Sequence, residues 1–188
     1  MYQAFFKRLL DICVALSILV FVSPVFVLIA LAIKLTDPGP IIFISIRTGR
    51  YGKSFHFYKF RSMPVSTALV ASDQLGLIQL NWLGRFLRRS NLDELPQFWN
   101  ILIGDMSLIG PRPSLKSQND LIKLRLASGV LECRPGLTGL AQVNSYDGMS
   151  IEQKVGFDAK YAKSITLLSD MKIILKTFRY LTKPPPVY

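Results

Sequence analysis

ICVALSILVFVSPVFVLIALAI, from Ile12 to Ile33, runs for roughly 22 residues without a charge. About 20 helical residues cross the hydrocarbon core of a bilayer, so this run is long enough for a membrane segment. It is too long for the apolar region of a cleaved signal peptide, and no small-residue cleavage site follows it. Its midpoint is Ser23-Pro24. Proline has no N–H for the carbonyl four residues back, and its ring crowds that carbonyl, so a helix bends there. In lipid the freed carbonyl needs another donor, and the Ser23 hydroxyl is a candidate. Lys7 and Arg8 precede the run and Lys34, Arg47, Arg50 and Lys53 follow it. Positive charge at both ends assigns no orientation to a straight span. The pattern favours a bent, re-entrant helix whose ends return to one face, with a proline-kinked spanning helix as the alternative.

Around that segment the chain has room for one ordinary domain. Its 188 residues are 50% hydrophobic, with a formal net charge of +11 from 23 Lys and Arg against 12 Asp and Glu. Mean hydropathy is +0.32, high for a soluble domain of this size. Such basicity suits a polyanion: nucleic acid, an anionic membrane surface or a phosphorylated small molecule. Basicity joined to hydrophobicity favours membrane and phosphate, and no nucleic-acid recognition motif is present. Cys13 and Cys133 are too few for a disulfide framework. Neither they nor His56 show the spacing of a zinc site, and His56, between Phe55 and Phe57, reads as structural.

Asp37-Pro38-Gly39-Pro40 ends the first helix. Ile41–Ile46 and Ser54–Arg61, joined by Gly49-Arg50-Tyr51-Gly52, read as a small β-hairpin with Lys59 and Arg61 on one face. Residues 64–79 suggest a loop or weak helix. Asn81–Arg89 reads as a helix, with Trp82, Leu83, Phe86 and Leu87 apart from Arg85, Arg88 and Arg89, a pattern suited to a membrane interface. Helices are also expected over Leu115–Leu126 and Leu167–Leu181. In the latter, Leu168, Met171, Ile174, Leu175 and Phe178 oppose Lys172, Lys176 and Arg179. Pro96 is tolerated only in a first helical turn, which puts a helix start near Leu92 or Asp93 and the acids Asp93 and Glu94 at its N-terminus. Acids there are also ordinary caps and dipole partners. Ile109-Gly110-Pro111-Arg112-Pro113 is a rigid turn presenting one arginine, which suits a phosphate or nucleobase contact. Arg134-Pro135-Gly136 is a second such turn.

Four of these stretches, in this order, resemble the bacterial sugar transferase family, the monotopic phosphoglycosyl transferases. They are Tyr58-Lys59-Phe60-Arg61-Ser62-Met63, Ser90 to Gln97 (SNLDELPQ), Gly104 to Pro113 (GDMSLIGPRP) and Arg134 to Val143 (RPGLTGLAQV). The resemblance covers nearly the whole chain, the Ser-Pro break included. It implies an α+β, mainly helical monotopic membrane protein with a re-entrant helix, amphipathic interfacial helices and a small β-hairpin. Residues 1–36 would be embedded in the membrane, and 37–188 would form a catalytic domain on the cytoplasmic face of the bacterial inner membrane. The implied reaction moves a sugar 1-phosphate from a UDP-sugar to a polyprenol phosphate such as undecaprenyl phosphate, releases UMP and uses Mg²⁺. That makes the chain a transferase of substituted phosphate groups.

By the same resemblance Asp93 and Glu94 form the catalytic dyad, with Asp93 the nucleophile of a covalent phosphosugar intermediate. Acyl phosphates form at carboxylates in other enzymes. An anion attacking an anion needs positive charge around it. Mg²⁺ bridging the diphosphate and a carboxylate, here Asp93, would supply part of that charge. Lys59, Arg61, Arg88 and Arg112 are the side-chain candidates for the rest. Gln142 and Asn144 are candidates for the sugar pocket. Asp105 reads as a supporting acid, and Arg134 as a support for its own turn. After Asn144 many relatives carry glycine and a basic residue, where this chain has Ser145-Tyr146-Asp147, a departure that bears on the sugar. Two other classes compete: a non-catalytic membrane-anchored protein that binds polyprenol phosphate, and a membrane-attached nucleic-acid binder suggested by charge alone.

Overall fold

The computed structural model describes residues 2–65, 80–144 and 149–181. The loop or weak helix expected over 64–79 falls almost wholly outside them, as do Ser145-Tyr146-Asp147 and the proline-rich end. The apolar run forms two helices, α1 (Lys7–Phe21) and α2 (Ser23–Thr36), inclined at 60°. Pro24 sits in the first turn of α2. The carbonyl whose helical partner it removes is that of Val20, which accepts instead from the Ser23 hydroxyl at 2.8 Å and from a backbone N–H at the end of α1. Among the described residues no single helix is long and apolar enough to cross a membrane; α1 and α2 reach that length only as a bent pair.

α1 is inside-out by the standards of a soluble helix. Its buried Asp11 accepts from the Leu108 N–H at 3.0 Å, and Arg8 donates to the Ile101 and Leu102 carbonyls at 2.6 and 2.9 Å. Leu9, Leu10, Leu16, Val20 and Phe21 are left facing outward, Phe21 with 82% exposure. Polar groups help hold the helix to the protein beside the buried Ala15, while many apolar ones are presented to the surroundings, against the usual pattern.

The expected hairpin is present as β1 (Ile42–Thr48) and β2 (Ser54–Phe60), antiparallel from Ile42–Phe60 to Thr48–Ser54. Directly paired residues share a face, so Arg47, Phe55, Phe57 and Lys59 lie on one side of it and Phe60 on the other. Next come α3 (Trp82–Arg89), capped by the Asn81 side chain, and α4 (Gln97–Ile103). Three very short strands follow, too short to show a pattern in sequence: β3 (Ser107–Ile109), β4 (Ser114–Leu115) and β5 (Gly136–Thr138). β4 extends the hairpin beside β1, and β3 pairs in parallel with β5. Because Ser114 and Leu115 are spent in β4, the helix expected from Leu115 begins instead at Asn119, as α5 (Asn119–Ala127). α6 (Leu140–Asn144), α7 (Ile151–Lys163) and α8 (Leu167–Leu181) complete the described fold, which is mostly helical with a small sheet component, an α+β architecture.

One buried cluster joins Ala15 of α1 to Phe55, Phe57, Phe98, Ile101 and Met106; a second joins Ile29 and Ile33 of α2 to Phe60, Leu83 and Leu87. The two helices of the apolar run therefore cover the two faces of β2. On α8 the buried residues are Asp170 and Ile173, whereas Leu168, Met171, Leu175 and Phe178 are exposed.

Close backbone packing locks β3 to β5. A Cβ at Gly136 would lie 2.1 Å from the Gly110 nitrogen and 2.5 Å from the Thr138 oxygen. Gly136→Ala is accordingly expected to cost about 3 kcal/mol or more, since backbone on two sides must shift. Gly156 in α7 has no atom near its Cβ position, so Gly156→Ala should be neutral or stabilise by about 0.5–1 kcal/mol. Thermal melts of the two variants in detergent check both signs.

Candidate functional site

The Asp93-Glu94 pair is set by local sequence on both sides. α3 ends at Arg89, and Asn91 takes a left-handed conformation (φ 54°, ψ 16°), which asparagine tolerates better than most residues. That reversal leads into a 3-10 turn over Leu92–Glu94. Leu92 and Leu95, three apart, are drawn into the hydrophobic clusters and hold the turn down. The helix expected to start at Leu92 or Asp93 starts at Gln97, with Pro96 as its N-cap, so the acids lie in the turn that precedes the α-helix rather than in its first turn. The reason is the αL residue just before them, which favours a tight 3-10 turn before the α-helix begins. Fully buried Asn100 of α4 then fastens this unit to the free edge of β2. Its side chain accepts from the Tyr58 N–H at 3.1 Å and donates to the His56 carbonyl at 2.6 Å, standing in for a neighbouring strand. The His56 side chain itself is exposed.

Lys59, reaching from β2, donates to Glu94 Oε1 at 2.6 Å and lies 3.6 Å from Asp93 Oδ2. Arg112, from the proline-bounded turn, donates to the same Glu94 Oε1 at 3.2 Å. Arg88 of α3 donates through Nε to Ser62 Oγ at 3.0 Å, and its charge acts on the Asp93 carboxyl. Five residues singled out in the sequence, Lys59, Arg88, Asp93, Glu94 and Arg112, thus converge from four separate segments.

The two acids are electrostatically unlike. Burial pushes the Asp93 carboxyl above the ordinary carboxylate range; Glu94 pushes the same way, while Lys59 and Arg88 pull it back without prevailing. Burial also acts to raise Glu94, but Arg112 and Lys59 overcome it and hold that carboxyl at about 2. Glu94 is a fixed anion at every ordinary pH. Asp93, only 6% exposed, is the acid whose basicity has been increased.

Two predicted residues stand apart from this cluster. Arg61 follows the last residue of β2, so the pleat no longer directs it, and its guanidinium turns to Asp37, donating to the backbone carbonyl and lying 3.6 Å from Oδ2. Gln142 of α6 donates to the Leu137 carbonyl at 3.4 Å and lies against β5, with its Oε1 buried and without a hydrogen bond. Arg134 donates to the Gly104 carbonyl at 3.0 Å and braces its turn. Asp105 Oδ2 is 3.5 Å from the Asn100 amide, and Asn144 donates to the Leu140 carbonyl at 2.7 Å.

Arg47, noted in sequence only as a flanking charge, belongs with the cluster. Its guanidinium carbon lies 5.2 Å from the centre of the Phe57 ring, which the Lys59 ammonium approaches to 5.7 Å. Burial lowers Arg47 to about 10, with Arg112 lowering it further and Glu94 raising it. Its Nε is buried without a hydrogen-bond partner. The available signal was spacing along the strand: Arg47 and Lys59 fall on the same face once the hairpin register is known.

Among the described residues no three His, Cys, Asp or Glu side chains converge as a metal cluster. Mg²⁺ does not require one, since it keeps several waters and is commonly held by one or two carboxylates together with substrate phosphate. Glu94 Oε1 is already shared by two cations, whereas the ion pair of Asp93 among the described residues is the longer one with Lys59, at 3.6 Å. The donor set is compatible with a Mg²⁺ that Asp93 would hold jointly with a diphosphate.

A small α+β scaffold thus presents a buried, basic carboxylate with Lys59, Arg88, Arg112 and Arg47 gathered around the dyad. Residues 2–184 match the family described as bacterial sugar transferase, and the chain belongs to that family. It is 40% identical over 181 residues to the UDP-glucose:undecaprenyl-phosphate glucose-1-phosphate transferase of Klebsiella pneumoniae, covering 92% of this chain and 39% of that one. It is 38% identical to the UDP-N-acetylgalactosamine-undecaprenyl-phosphate N-acetylgalactosaminephosphotransferase of Aeromonas hydrophila, covering 94% of this chain and 43% of the relative. An uncharacterized sugar transferase of Bacillus subtilis (strain 168), EpsL, is 35% identical, with 92% and 85% covered. The chain spans about two fifths of the length of several of these relatives.

Proposed function

We propose that this chain transfers a sugar 1-phosphate from a UDP-sugar to undecaprenyl or a similar polyprenol phosphate, with Asp93 as nucleophile. The observation that carries the proposal is the division of labour in the dyad. Glu94 is neutralised by Lys59 and Arg112, while Asp93 beside it is buried, more basic than an ordinary carboxyl and close to Arg88. An Asp93 oxygen attacks the phosphorus that bears the sugar. The new P–O bond forms as the bridging P–O bond breaks, and UMP leaves with the bonding electrons. A phosphate oxygen of the polyprenol phosphate then attacks the same phosphorus, frees Asp93 and yields the polyprenol diphosphate sugar. Lys59, Arg112, Arg88 and Arg47 offset the negative charge that gathers, which is the larger part of catalysis in phosphoryl transfer. Mg²⁺, held at Asp93 and the diphosphate, would supply further positive charge when bound. UMP release from a panel of UDP-sugars offered with undecaprenyl phosphate tests the reading, and no release with any of them overturns it.

The acceptor is a lipid, and we place the chain on the cytoplasmic face of the bacterial inner membrane, with α1 and α2 re-entrant. Three features support this seat: the 60° bend between the helices, their outward apolar residues, and the exposed Trp82 and Phe86 on the arginine-rich helix α3. α8 carries a further exposed apolar stripe with Lys172, Lys176 and Arg179 in the same helix. Cysteines placed at Gln3 and Lys53 should be labelled by an impermeant reagent from the same side of the membrane. Labelling from opposite sides would establish a spanning helix instead.

A further inference from the structure

The turn that carries Arg112 is gripped from behind by groups that no step above uses. Arg125 of α5 and Asp158 of α7 are 3% and 1% exposed. Arg125 Nε and Nη2 donate to Asp158 Oδ2 at 3.0 and 2.6 Å. The third arm of the fork, Nη1, donates to the backbone carbonyl of Arg112 at 2.7 Å. A planar guanidinium has fixed donor directions, so a carboxylate that orients two of its nitrogens also orients the third. One helical turn further on, the Tyr161 hydroxyl lies 3.1 Å from the Ile109 carbonyl at the other end of the same turn and 2.8 Å from Asp170 Oδ1, with one proton to share. Between these points Gly110 and Pro111 are tied to β5, where the Gly110 N–H donates to the Thr138 carbonyl and the Gly136 N–H to the Pro111 carbonyl, both at 2.9 Å. The turn is held along its whole length, and at its catalytic end the hold is a buried ion pair.

Stability alone is a weak reason for such a pair, because burying two charges costs about as much as their attraction returns, and apolar replacements of similar volume are often as stable. We propose that Arg125, oriented by Asp158, is a positioning residue for the transfer reaction: it fixes the Arg112 backbone so that the Arg112 side chain meets Glu94 and the donor phosphates. This rests on the sugar phosphate transfer reading. Arg125 touches neither substrate nor dyad; it acts through Arg112.

The test replaces both charges together, Arg125→Met with Asp158→Leu, so that neither is left buried and unpaired. The double variant should melt within a few degrees of the parent. It should nevertheless lose about 10²-fold in kcat/KM for UMP release, the loss expected when a catalytic group is displaced by about 1 Å. Arg112→Ala should cost a similar factor in the parent and only a few-fold more in the double variant, since the two changes remove one interaction. Equal Arg112→Ala penalties in both backgrounds, or full activity of a folded double variant, would overturn the proposal. Should the double variant not fold, Arg125→Lys, assayed well below its Tm, must show the same loss and the same non-additivity. An independent readout that needs no turnover is the ¹⁵Nε–H resonance of the Arg112 side chain, which should move or broaden in the double variant as the guanidinium leaves Glu94; an unmoved resonance overturns the proposal even if the parent proves inactive on every UDP-sugar.

Discussion

Asp93→Asn should abolish turnover, lowering kcat for UMP release by at least about 10⁴-fold, in the range seen when the nucleophile of a covalent mechanism is removed. The isosteric amide keeps the size of the side chain, so the 3-10 turn and its leucine anchors should survive and the protein should still fold. The covalent pathway also requires that UDP-sugar alone, without acceptor, release a burst of UMP equal to the enzyme present. That burst should be absent in Asp93→Asn. A burst of unchanged size in the variant, or ample steady turnover, would remove Asp93 from the nucleophile's role. The pH dependence of the parent has a definite sign. As the proposed nucleophile Asp93 would attack only when ionised, and burial raises its pKa, so activity should fall as pH drops through a value above the roughly 3.9 of an unperturbed aspartate. Glu94, held at about 2, should contribute nothing to that limb.

Replacing Glu94 by glutamine should act in two directions at once. The amide cannot hold Lys59 at 2.6 Å and Arg112 at 3.2 Å as an ion pair, so both cations lose their anchor and kcat/KM should fall on the order of 10²-fold. Meanwhile Asp93 loses a neighbouring negative charge and gains the undivided attraction of Lys59, now 3.6 Å away. Its pKa should fall, and the acid limb of the pH–rate profile should move to lower pH even as the maximum drops. A purely structural Glu94 predicts loss of activity with no movement of the limb. A limb that moves to higher pH would show that Lys59 leaves Asp93 once Glu94 no longer anchors it, so that the lost attraction outweighs the lost repulsion.

Much of this molecule is legible in the order of its residues, for identifiable reasons. The uncharged run from Ile12 to Ile33, broken at Pro24, determines two helices and the place of the bend, because proline removes one particular hydrogen bond, and Ser23 is adjacent to replace it. The hairpin and α8 are likewise local: an apolar β-branched run in β1, alternation in β2 and a stripe over 15 residues in α8 are long enough to specify an element. Asp93 and Glu94 stand out because they are adjacent in a motif. Sequence misjudged the start of α4, where the left-handed Asn91 outweighs what Pro96 permits, and the start of α5, where Ser114 and Leu115 are recruited to the edge of β1. Strands of two or three residues have no period to detect; pairing partners from elsewhere in the chain create them.

What only the tertiary structure decided is which charges act together. Lys59 and Arg61 are two residues apart and look equivalent, yet one reaches the dyad and the other turns to Asp37 because the strand ends between them. Arg47 joins the site through a register twelve residues away, and Arg125 reaches Arg112 through a helix packed behind it. Glu94 and Asp93, neighbours of one chemistry, acquire opposite pKa shifts because burial and Lys59 act on both while Arg112 pairs with Glu94. A local pattern can specify an element, since its hydrogen bonds close within a few residues. The electric field at a carboxyl is summed over every group packed around it, and the groups here come from five segments brought together only by folding. The apolar run therefore specifies two helices and a bend, while which side chains face outward follows from tertiary partners: those of Arg8 and Asp11 on α1, some 90 residues along the chain, and those of Ile29 and Ile33 on α2.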